Sequence, residues 1–332
     1  MKPFAYTRPT NQQAAIQAIA QQNAKFIAGG TNLLDLMKEN VEQPARLIDI
    51  NRLELTQIAE RRDGGLRLGA LAKNSDTANH RLVRERYPLV TQAILAGASA
   101  QLRNAATNGG NLMQRTRCYY FYDTVMPCNK RDPGSGCGAL EGFSRIHAIF
   151  GTSPLCIATH PSDMCVALAA LDAVVQVEGP QGPRSIPFAE FHRLPGDTPQ
   201  IDTNLQRDEL ITAIDLPATA NSFADHSYYL KVRDRASYAF ALVSVAAALD
   251  IRNGVIQEAR VAMGGVAHKP WRATKAESTL KGQRPEENSF RMAAEAEMQS
   301  AVGTEHNRFK IELGRRAIVR ALTIAASSGR AA

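Results

Sequence analysis

The sequence lacks any apolar run close to the roughly 20 residues that a membrane-spanning helix needs. Its N-terminus has neither an apolar signal core nor a twin-arginine pair, so no export signal is predicted in the chain itself. No block of Lys and Arg is longer than three, and the net charge of +7 is spread along the sequence. This distribution favours a solvated basic surface over a nucleic-acid interface. We therefore expect no membrane insertion and no nucleic-acid partner.

The 332 residues are 44% hydrophobic and 21% charged, which is the ordinary balance of a soluble globular protein. The length predicts two or three domains. Strand and helix patterns alternate over residues 1–53, which predicts a small parallel sheet with helices. From residue 54 the pattern changes to alternating strand segments that follow turn residues. Further predictions are a helix capped by Ser75 or Asp76, a linker at 218–225 and a final helix at 309–325.

Two glycine-rich loops have the composition of phosphate-binding turns. Segment 26–33 is predicted to be the end of a buried strand, followed by two glycines, a threonine and the start of a helix. Segment 107–111 again combines glycines with Thr and Asn. Glycine lets backbone N–H groups approach a pyrophosphate closely. A helix turn capped by Thr31 or Asn32 explains the first loop equally well, and a hairpin or bulge explains the second. Together they favour a shared diphosphate ligand, although neither is the Gly-x-Gly-x-x-Gly fingerprint of a Rossmann site.

Four of the five cysteines fall within segment 113–157, which is rich in Gly, Pro and Arg and is predicted to be a long structured loop. The spacing is Cys-x9-Cys-x8-Cys-x18-Cys, formed by Cys118, Cys128, Cys137 and Cys156. The close cysteine pairs of zinc sites and the compact ferredoxin run are both absent. Soft thiolates nevertheless suit an iron–sulfur cluster held by a long loop. Disulfide bonds and ordinary free thiols are the alternatives.

The basic residues of this segment, the fifth cysteine and the histidines are not expected to be metal ligands. Basic residues of the segment are expected to offset the negative charge of a cluster, namely Arg115, Arg117, Lys130 and Arg131. Cys165 lies inside a predicted helix and is expected to be a buried core residue, with replacement of Cys156 as a ligand the alternative. The seven histidines show no metal-ligand spacing, so His147 and His160 are interpreted as structural.

Ordered motifs along the chain resemble the FAD-binding medium subunit of the molybdenum hydroxylases, the xanthine dehydrogenase and carbon monoxide dehydrogenase family. These motifs are segments 25–34, 107–111, 160–163, 229–235 and 264–270. The resemblance implies an α+β fold of two parts. The first is an FAD-binding fold of the vanillyl-alcohol-oxidase/PCMH type, with a small parallel α/β subdomain plus an antiparallel sheet with helices. The second is a molybdenum-hydroxylase flavoprotein C-terminal α+β domain. Domains are expected at 1–53, at 54–220 with an insert at about 113–157, and at 225–330.

The resemblance also implies FAD as cofactor. The residues it assigns to FAD binding are Phe26, Ile27, Ala28, Gly29, Gly30, Thr31, Asn32, Leu33, Ala98, Ser99, Thr107, Gly109, Gly110, Asn111, Asp163 and Lys231. Asp163 would bond a ribose hydroxyl and Lys231 would lie near the flavin ring. Without the resemblance, Asp163 would be a plain helix N-cap and Lys231 a solvated charge. Ala98 and Ser99 would line the adenine side. Tyr238 is expected to pack in the core, with stacking near the ring as the alternative.

The insert at 113–157 departs from the ordinary medium subunit, in which the second glycine loop passes almost directly into the helix near Asp163. It resembles the cluster-bearing variant of 4-hydroxybenzoyl-CoA reductase and of bacterial periplasmic aldehyde oxidoreductases. Segments 115–118, 127–131 and 134–137 most resemble the latter. The resemblance implies that a 4Fe–4S cluster is bound by Cys118, Cys128, Cys137 and Cys156.

The function implied is that of an FAD- and 4Fe–4S-containing electron-transfer subunit of a molybdenum-dependent aldehyde oxidoreductase. It would pass electrons from the partners' molybdenum and 2Fe–2S centres to an external acceptor. The expected partners are a large molybdenum-cofactor subunit and a small 2Fe–2S subunit in a heterotrimer, and no catalytic residue is predicted in this chain. Periplasmic location by co-export with a signal-bearing partner is expected, with the cytoplasm as the alternative. The rival functions are a stand-alone flavin oxidoreductase and a basic zinc-binding nucleic-acid or scaffold protein.

Overall fold

The computed structural model describes residues 1–328. Its N-terminal part is a three-stranded sheet whose strands are all parallel, in the order β1-β3-β2. The strands are β1 (Ala5–Thr7), β2 (Ala24–Ile27) and β3 (Arg46–Asp49), and the helices are α1 (Gln12–Ile19) and α2 (Leu33–Lys38). The small parallel sheet predicted from the alternation of strands and helices is confirmed.

Helix α1 shows how local chemistry sets an element next to the site. The side chain of Asn11 accepts a hydrogen bond of 2.8 Å from the backbone N–H of Ala14 and so caps the helix. Ala15, Ile16 and Ile19 form one apolar face, which is buried. This face packs beside β2, and β2 ends directly at the first glycine loop.

The middle of the chain forms a five-stranded antiparallel sheet in the order β4-β5-β8-β6-β7. Its strands are β4 (Ile58–Glu60), β5 (Leu66–Gly69), β6 (Val174–Gly179), β7 (Gly182–Pro187) and β8 (Leu210–Leu216). Its helices are α3 (Asn74–Asn79), α4 (Arg81–Arg86), α5 (Pro88–Ala96), α6 (Ala100–Ala105), α7 (Asn108–Leu112), α8 (Tyr119–Tyr122), α9 (Gly138–Glu141), α10 (Asp163–Ala170) and α11 (Phe188–Phe191). The insert thus carries only two short helices, α8 and α9, which agrees with its prediction as a structured loop.

One local prediction in this region, the N-cap of α3, is wrong. Helix α3 begins at Asn74 and no side chain caps it, so neither Ser75 nor Asp76 is its N-cap. Asn74 instead turns inward and donates to the Asn108 side chain across 3.1 Å. The expected linker at 218–225 contains a 3-10 helix at Ala218–Phe223 with two buried side chains, and its role as a linker stays a prediction.

The C-terminal part is a four-stranded antiparallel sheet in the order β12-β11-β10-β9, covered by helices. Its elements are β9 (Ser227–Val232), β10 (Val243–Arg252), β11 (Val255–Gly264), β12 (Trp271–Arg272), α12 (Thr274–Leu280), α13 (Glu287–Met298) and α14 (Phe309–Ser327). The final helix predicted at 309–325 is confirmed and continues to Ser327. The predicted domain end at residue 330 lies outside the described residues.

One apolar core runs from the five-stranded sheet into the C-terminal sheet, since it includes Tyr229, Ala246 and Ala262 along with Leu66 and Val175. The α+β fold class predicted from the resemblance is confirmed. The domain boundaries at 53, 220 and 225 stay predictions. No helix within residues 1–328 is long and apolar enough to cross a membrane.

Candidate functional site

The two glycine loops lie against each other. A Cβ atom on Gly29 would overlap the carbonyl oxygen of Ala105 and lie 2.7 Å from its carbonyl carbon. It would also lie 3.2 Å from the Cα atom of Ala106, directly before the second loop. Only glycine at position 29 permits this approach.

The first loop turns from β2 into α2 through Gly30, whose φ of +70° is a left-handed conformation that favours glycine. Asn32 occupies the N-cap position of α2, but its side chain does not cap the helix. Its Oδ1 atom accepts a 2.8 Å hydrogen bond from the backbone N–H of Arg115 instead. The first loop is therefore fixed to the start of the insert, a link that the sequence did not predict.

The second loop is a turn of helix, so the hairpin or bulge considered from the sequence is wrong. Thr107 caps α7 by accepting from the Gly110 N–H at 3.2 Å. Asn111 accepts a 2.5 Å hydrogen bond from the Ser162 hydroxyl and donates to Asn74 across 2.7 Å. These bonds fix the second loop to the residue before α10.

One cavity of about 1710 Å³ is lined by both loops. Ligand pockets commonly measure about 300–1,000 Å³, so this volume suits an extended ligand larger than a single small metabolite. The cavity wall includes every residue predicted to bind the nucleotide except Ser99: Phe26, Ile27, Ala28, Gly29, Gly30, Thr31, Asn32, Leu33, Ala98, Thr107, Gly109, Gly110, Asn111, Asp163 and Lys231. The structure thus brings together side chains and backbone that are far apart in the sequence.

Ala98 and Ser99 separate at the turn between α5 and α6. Ala98 lines the cavity with a φ of 50°, a conformation that non-glycine residues rarely adopt. Ser99 is not on the cavity wall, and its hydroxyl caps α6 by accepting from the Leu102 N–H at 3.3 Å. The position of Ser99 is therefore explained by helix capping.

Asp163 and Lys231 form a buried ion pair at the cavity wall. The Lys231 Nζ atom lies 2.8 Å from Asp163 Oδ2, and the two side chains are 4% and 9% exposed. The Tyr229 hydroxyl donates to Asp163 Oδ1 across 2.7 Å, and burial together with this carboxylate raises the pKa of Tyr229 well above its ordinary value. Neither simpler interpretation holds, since Ser162 caps α10 and Lys231 is not solvated.

Tyr238 lies at the edge of the cavity and not in the core. Its side chain is 58% exposed, and its φ of 51° falls in the left-handed region. The guanidinium of Arg235 donates to the Tyr238 carbonyl across 3.0 Å and holds this turn. The expectation that Tyr238 packs in the core is wrong.

A charged network that the sequence did not predict joins the insert to the cavity. Arg115 lies 2.7 Å from Glu42 and 2.9 Å from Asp202, and the side chain of Lys130, which is 1% exposed, also pairs with Asp202. Burial alone would raise the pKa of Asp202. The charges of Lys130 and Arg115 have the larger effect and hold this pKa well below its ordinary value. The acidic partners are distant in sequence from the insert, so no local pattern could have identified them.

The basic residues of the insert also have structural contacts, and their expected role of offsetting the charge of a cluster stays a prediction. Arg115 and Lys130 are neutralised by carboxylates. Arg131 donates to the carbonyl oxygens of Tyr120, Phe121 and Met126. Arg117 lies over the ring of Phe240 at 5.0 Å. Their contacts secure the fold of the insert.

The four predicted cysteine ligands share one small apolar core, together with Leu36, Phe121, Ala139, Ile157 and Ala158. All five cysteines of the chain, each within the described residues, are free, so the disulfide alternative is wrong. Burial raises the pKa of the Cys118 thiol to about 12 and that of Cys156 to about 11. The His147 Nε2 atom lies 3.0 Å from Cys118 Sγ. Cys165 lies in the separate core of the five-stranded sheet, so it does not replace Cys156.

The spacing of the four sulfurs tests which metal they fit. Among the described residues, the one group of three ligand atoms within 4.8 Å of one another is His160, Cys165 and His192, and it includes none of these four cysteines. Four thiolates on a single zinc ion, at about 2.3 Å each, would lie closer than this. The four cysteines are thus gathered in one core, but no three of their sulfurs lie within 4.8 Å of one another, which is too open for one tetrahedral ion.

The cavity likewise fits an extended nucleotide. Its wall joins glycine backbone, whose approach a Cβ atom would block, to a buried carboxylate at Asp163 and a cation at Lys231. A dinucleotide needs these groups for its phosphates, hydroxyls and ring.

Comparisons with known proteins agree with this geometry. Residues 2–219 match the family described as the FAD binding domain in molybdopterin dehydrogenase, and residues 228–325 match the CO dehydrogenase flavoprotein C-terminal domain. The chain is 52% identical over 324 residues to the FAD-binding subunit of the aldehyde oxidoreductase of Escherichia coli strain K12, covering 97% of this chain and 98% of that one. It is 27% identical to the glyceraldehyde dehydrogenase medium chain of Sulfolobus acidocaldarius, covering 97% and 96%.

A solved structure shares the fold over the full length. It is a chain of the carbon monoxide dehydrogenase of Hydrogenophaga pseudoflava, in a form that lacks the Mo-pyranopterin moiety of the molybdenum cofactor. The TM-score is 0.77 at 26% identity, with 99% of this chain and 100% of that chain covered. The family matches follow one another along the sequence, the first spanning both glycine loops and the second the C-terminal sheet. Fold, cavity and sequence thus agree that the chain belongs to the family of FAD-binding medium subunits of the molybdenum hydroxylases.

Proposed function

We propose that the chain is the FAD-carrying electron-transfer subunit of a molybdenum-dependent aldehyde oxidoreductase and that its insert holds a 4Fe–4S cluster. The observation that carries the proposal is the single cavity lined by both glycine loops. The cluster is supported by the one apolar core that gathers four free cysteines. The aldehyde as substrate class is supported by 52% identity to a subunit named for that activity.

The backbone of the first glycine loop is proposed to bind the diphosphate of FAD. In the second loop, the N–H groups of Gly109 and Gly110 already donate to the Ala70 carbonyl and the Thr107 hydroxyl. We therefore assign the diphosphate oxygens mainly to the N–H groups of segment 29–31. The second loop provides the close, side-chain-free wall against which the first loop is held.

Asp163 and Lys231 are proposed to orient the ribose and the flavin. Tyr229 and Lys231 hold the Asp163 carboxylate in one orientation, and each oxygen keeps a lone pair that can accept from a ribose hydroxyl. The Lys231 ammonium has three N–H donors, and Asp163 and the Ala96 carbonyl accept from two of them. The third is available to a polar atom of the ring.

Bound FAD supplies two-electron chemistry between the partner subunits and an external acceptor. The chain's own residues bind it, fix its orientation and limit the water around it. In the insert, the four cysteines would hold the cluster in a core that excludes water, with His147 beside Cys118. Backbone carbonyls bonded by Arg131 keep the surrounding loop in place.

The proposal includes a large molybdenum-cofactor subunit and a small 2Fe–2S subunit as partners in a heterotrimer. It is supported by the names of the relatives, which describe a subunit and a medium chain. It also includes periplasmic location, reached by export together with a partner that carries the signal. Fractionation by osmotic shock tests this location against the cytoplasm.

The test compares cofactor content in the purified complex and in its Cys128→Ser variant. We expect FAD, iron and acid-labile sulfide in the wild type. The variant should keep its FAD and lose the iron and sulfide assigned to this chain, because FAD and the cysteines occupy different parts of the fold. Cys165→Ala is the matched control, since Cys165 lies in another core, and it should keep the iron.

The two halves of the proposal fail separately in this experiment. Iron that is unchanged by Cys128→Ser would contradict the cluster and leave the FAD assignment intact. A wild-type complex whose chain binds no FAD would contradict the function itself.

A further inference from the structure

His160, Cys165 and His192 form a second group of metal-binding side chains, apart from the four cysteines of the insert. One ligand atom of each lies within 4.8 Å of the others. The residues are 9%, 0% and 3% exposed, so all three are at least nine-tenths buried. The chain brings them together from the segment before α10, from α10 itself and from the residue after α11.

Both histidines of this group have a buried ring nitrogen without a hydrogen-bond partner in the part of the chain that the structure describes. Among the described residues, His160 Nε2 and His192 Nδ1 are buried and have no hydrogen-bond partner. The ring centroids lie 4.3 Å apart. A buried polar atom without a hydrogen-bond partner destabilises the fold, because it loses its contact with water. A bound ligand that is not part of the polypeptide would remove this cost at each of these nitrogens.

The remaining ring nitrogen of His192 is oriented as in metal-bound histidines. Its Nε2 atom donates to the Leu112 carbonyl across 2.9 Å, which leaves Nδ1 with a free lone pair. Ligating histidines commonly donate their other N–H to a backbone carbonyl in this way. His160 Nδ1 accepts a long 3.4 Å contact from the Ser162 N–H. A shift of the ring proton from Nε2 to Nδ1 would give up this contact and leave Nε2 with a lone pair for an ion.

We propose that His160, Cys165 and His192 bind a single thiophilic divalent ion of the zinc class. Two imidazoles and one thiolate are a ligand set that zinc accepts, with a fourth position left for a small molecule. His160 and His192 line the large cavity whereas Cys165 does not, so the fourth position would face the cavity. The ion would join the residue after α11 to the start of α10, where Asp163 lies.

The site does not depend on the iron–sulfur proposal. Cys165 belongs to the core of the five-stranded sheet, and the four cysteines of the insert share another core. Zinc bound at the proposed site would have one sulfur and two nitrogen neighbours, at about 2.3 Å and about 2.0–2.1 Å. Zinc bound by the insert would have only sulfur neighbours, so the two sites are distinguishable by the ligand shell.

The test measures zinc per chain and its X-ray absorption at the zinc edge in the full complex, purified from zinc-supplemented cells and dialysed without chelator. We expect one zinc per chain, with one sulfur and two nitrogen neighbours, in the wild type and in Cys137→Ser. Cys165→Ala should lose most of this zinc and His192→Ala should lose it as well. Cys165→Ala changes little volume, so it keeps the test meaningful even if His192→Ala does not fold.

Three outcomes overturn the proposal. The first is a wild type that retains no zinc, in which case a buried water would be the partner of His160 Nε2 and His192 Nδ1. The second is a shell made only of sulfur. The third is the same zinc content in Cys165→Ala as in the wild type. FAD content is measured on the same samples, so that a failure of the zinc site can be told apart from a failure of the proposed flavin function.

Discussion

A side chain at position 29 would collide with the backbone of residues 105 and 106, and the glycine loops could not both keep their places. Gly29→Ala is expected to destabilise the protein by about 1–3 kcal/mol, as overpacking does, and to lower the FAD content of the purified chain. FAD absorbance per chain and urea unfolding measure the two effects. Gly179→Ala is the control, because its new Cβ would lie 3.0 Å from Cγ of the Glu209 side chain and no closer than 3.8 Å to backbone atoms. Equal FAD content in both variants would contradict the role given to Gly29.

The buried pair of Lys231 and Asp163 gives a second prediction for a single substitution. Lys231→Met leaves the Asp163 carboxylate buried without its cation, so we expect a loss of about 3–5 kcal/mol in the free energy of unfolding. Urea denaturation measures it. The control is Arg81→Met, which removes an exposed pair with Glu85 and should cost less than about 0.5 kcal/mol. Similar losses in the two variants would argue against a buried pair.

Nearly all residues that the resemblance assigned to FAD line the cavity, whereas the rest of its wall and the pairings of these residues could not be predicted. The glycines of both loops follow from local composition, since a close backbone approach requires them. Lys231 and Asp163 are separated by 68 positions, and only the three-dimensional fold shows that they pair. Tyr238 was misplaced because an aromatic residue suggests the core, while its turn holds it at the cavity edge.

At the scale of elements, the insert depends on a few charged contacts more than on helices or strands. Its two helices are short, and Arg115 and Lys130 attach it to Asp202, in the segment between α11 and β8. The sequence predicted a structured loop correctly because Gly and Pro interrupt periodicity. It could not predict the attachment, since the carboxylates come from other parts of the chain.

This attachment should make stability depend on pH. The pKa of Asp202 is lowered in the folded protein, so its carboxylate stabilises the fold fully above its ordinary pKa of 3.8, and the contribution is lost as the pH falls below that value. Asp202→Asn should cost about 3 kcal/mol at neutral pH, the low end for a buried pair, because the Asp202 side chain is 29% exposed. The cost should shrink as the pH falls below about 4.

Urea unfolding at several pH values measures this difference. The control is Asp225→Asn, an exposed aspartate, which should follow the wild type at every pH. If the free energy of unfolding of Asp202→Asn stayed below that of the wild type by a constant amount across the acid range, protonation of Asp202 would not be the cause of the pH dependence.

Strand β7 shows why some elements could not be predicted from the sequence. β7 contains two prolines and its exposed residues outnumber the buried ones, so it has no alternating apolar pattern. It lies at the edge of the sheet, where proline is tolerated. A central strand such as β8 is mostly buried, so its apolar residues give a clearer sequence pattern.

At the scale of the whole molecule, the cavity is lined by residues of the parallel sheet, the helices of the middle region and the C-terminal sheet. FAD should therefore stabilise all three against unfolding together. The only tryptophan, Trp271, stacks on Phe150 at 4.7 Å in the C-terminal part and is not on the cavity wall. Its emission should report a gain of about 2.7 kcal/mol when free FAD exceeds its dissociation constant a hundredfold.

The measurement is urea unfolding followed by Trp271 emission, with and without FAD. Riboflavin at the same concentration is the control, because it lacks the diphosphate that the first glycine loop is proposed to bind. A Trp271 transition that FAD does not move, while flavin release follows a separate transition, would mean that the C-terminal sheet unfolds independently of the site.

FAD binding in a cavity shared by the two glycine loops is tested by titrating the flavin-stripped, purified chain with FAD and following flavin fluorescence. We expect saturation at one FAD per chain in the wild type and markedly weaker binding in Gly29→Ala, since the two glycine loops form one wall of this cavity. A wild-type chain that binds no FAD, or a Gly29→Ala chain that binds FAD as tightly as the wild type, would rule out this site.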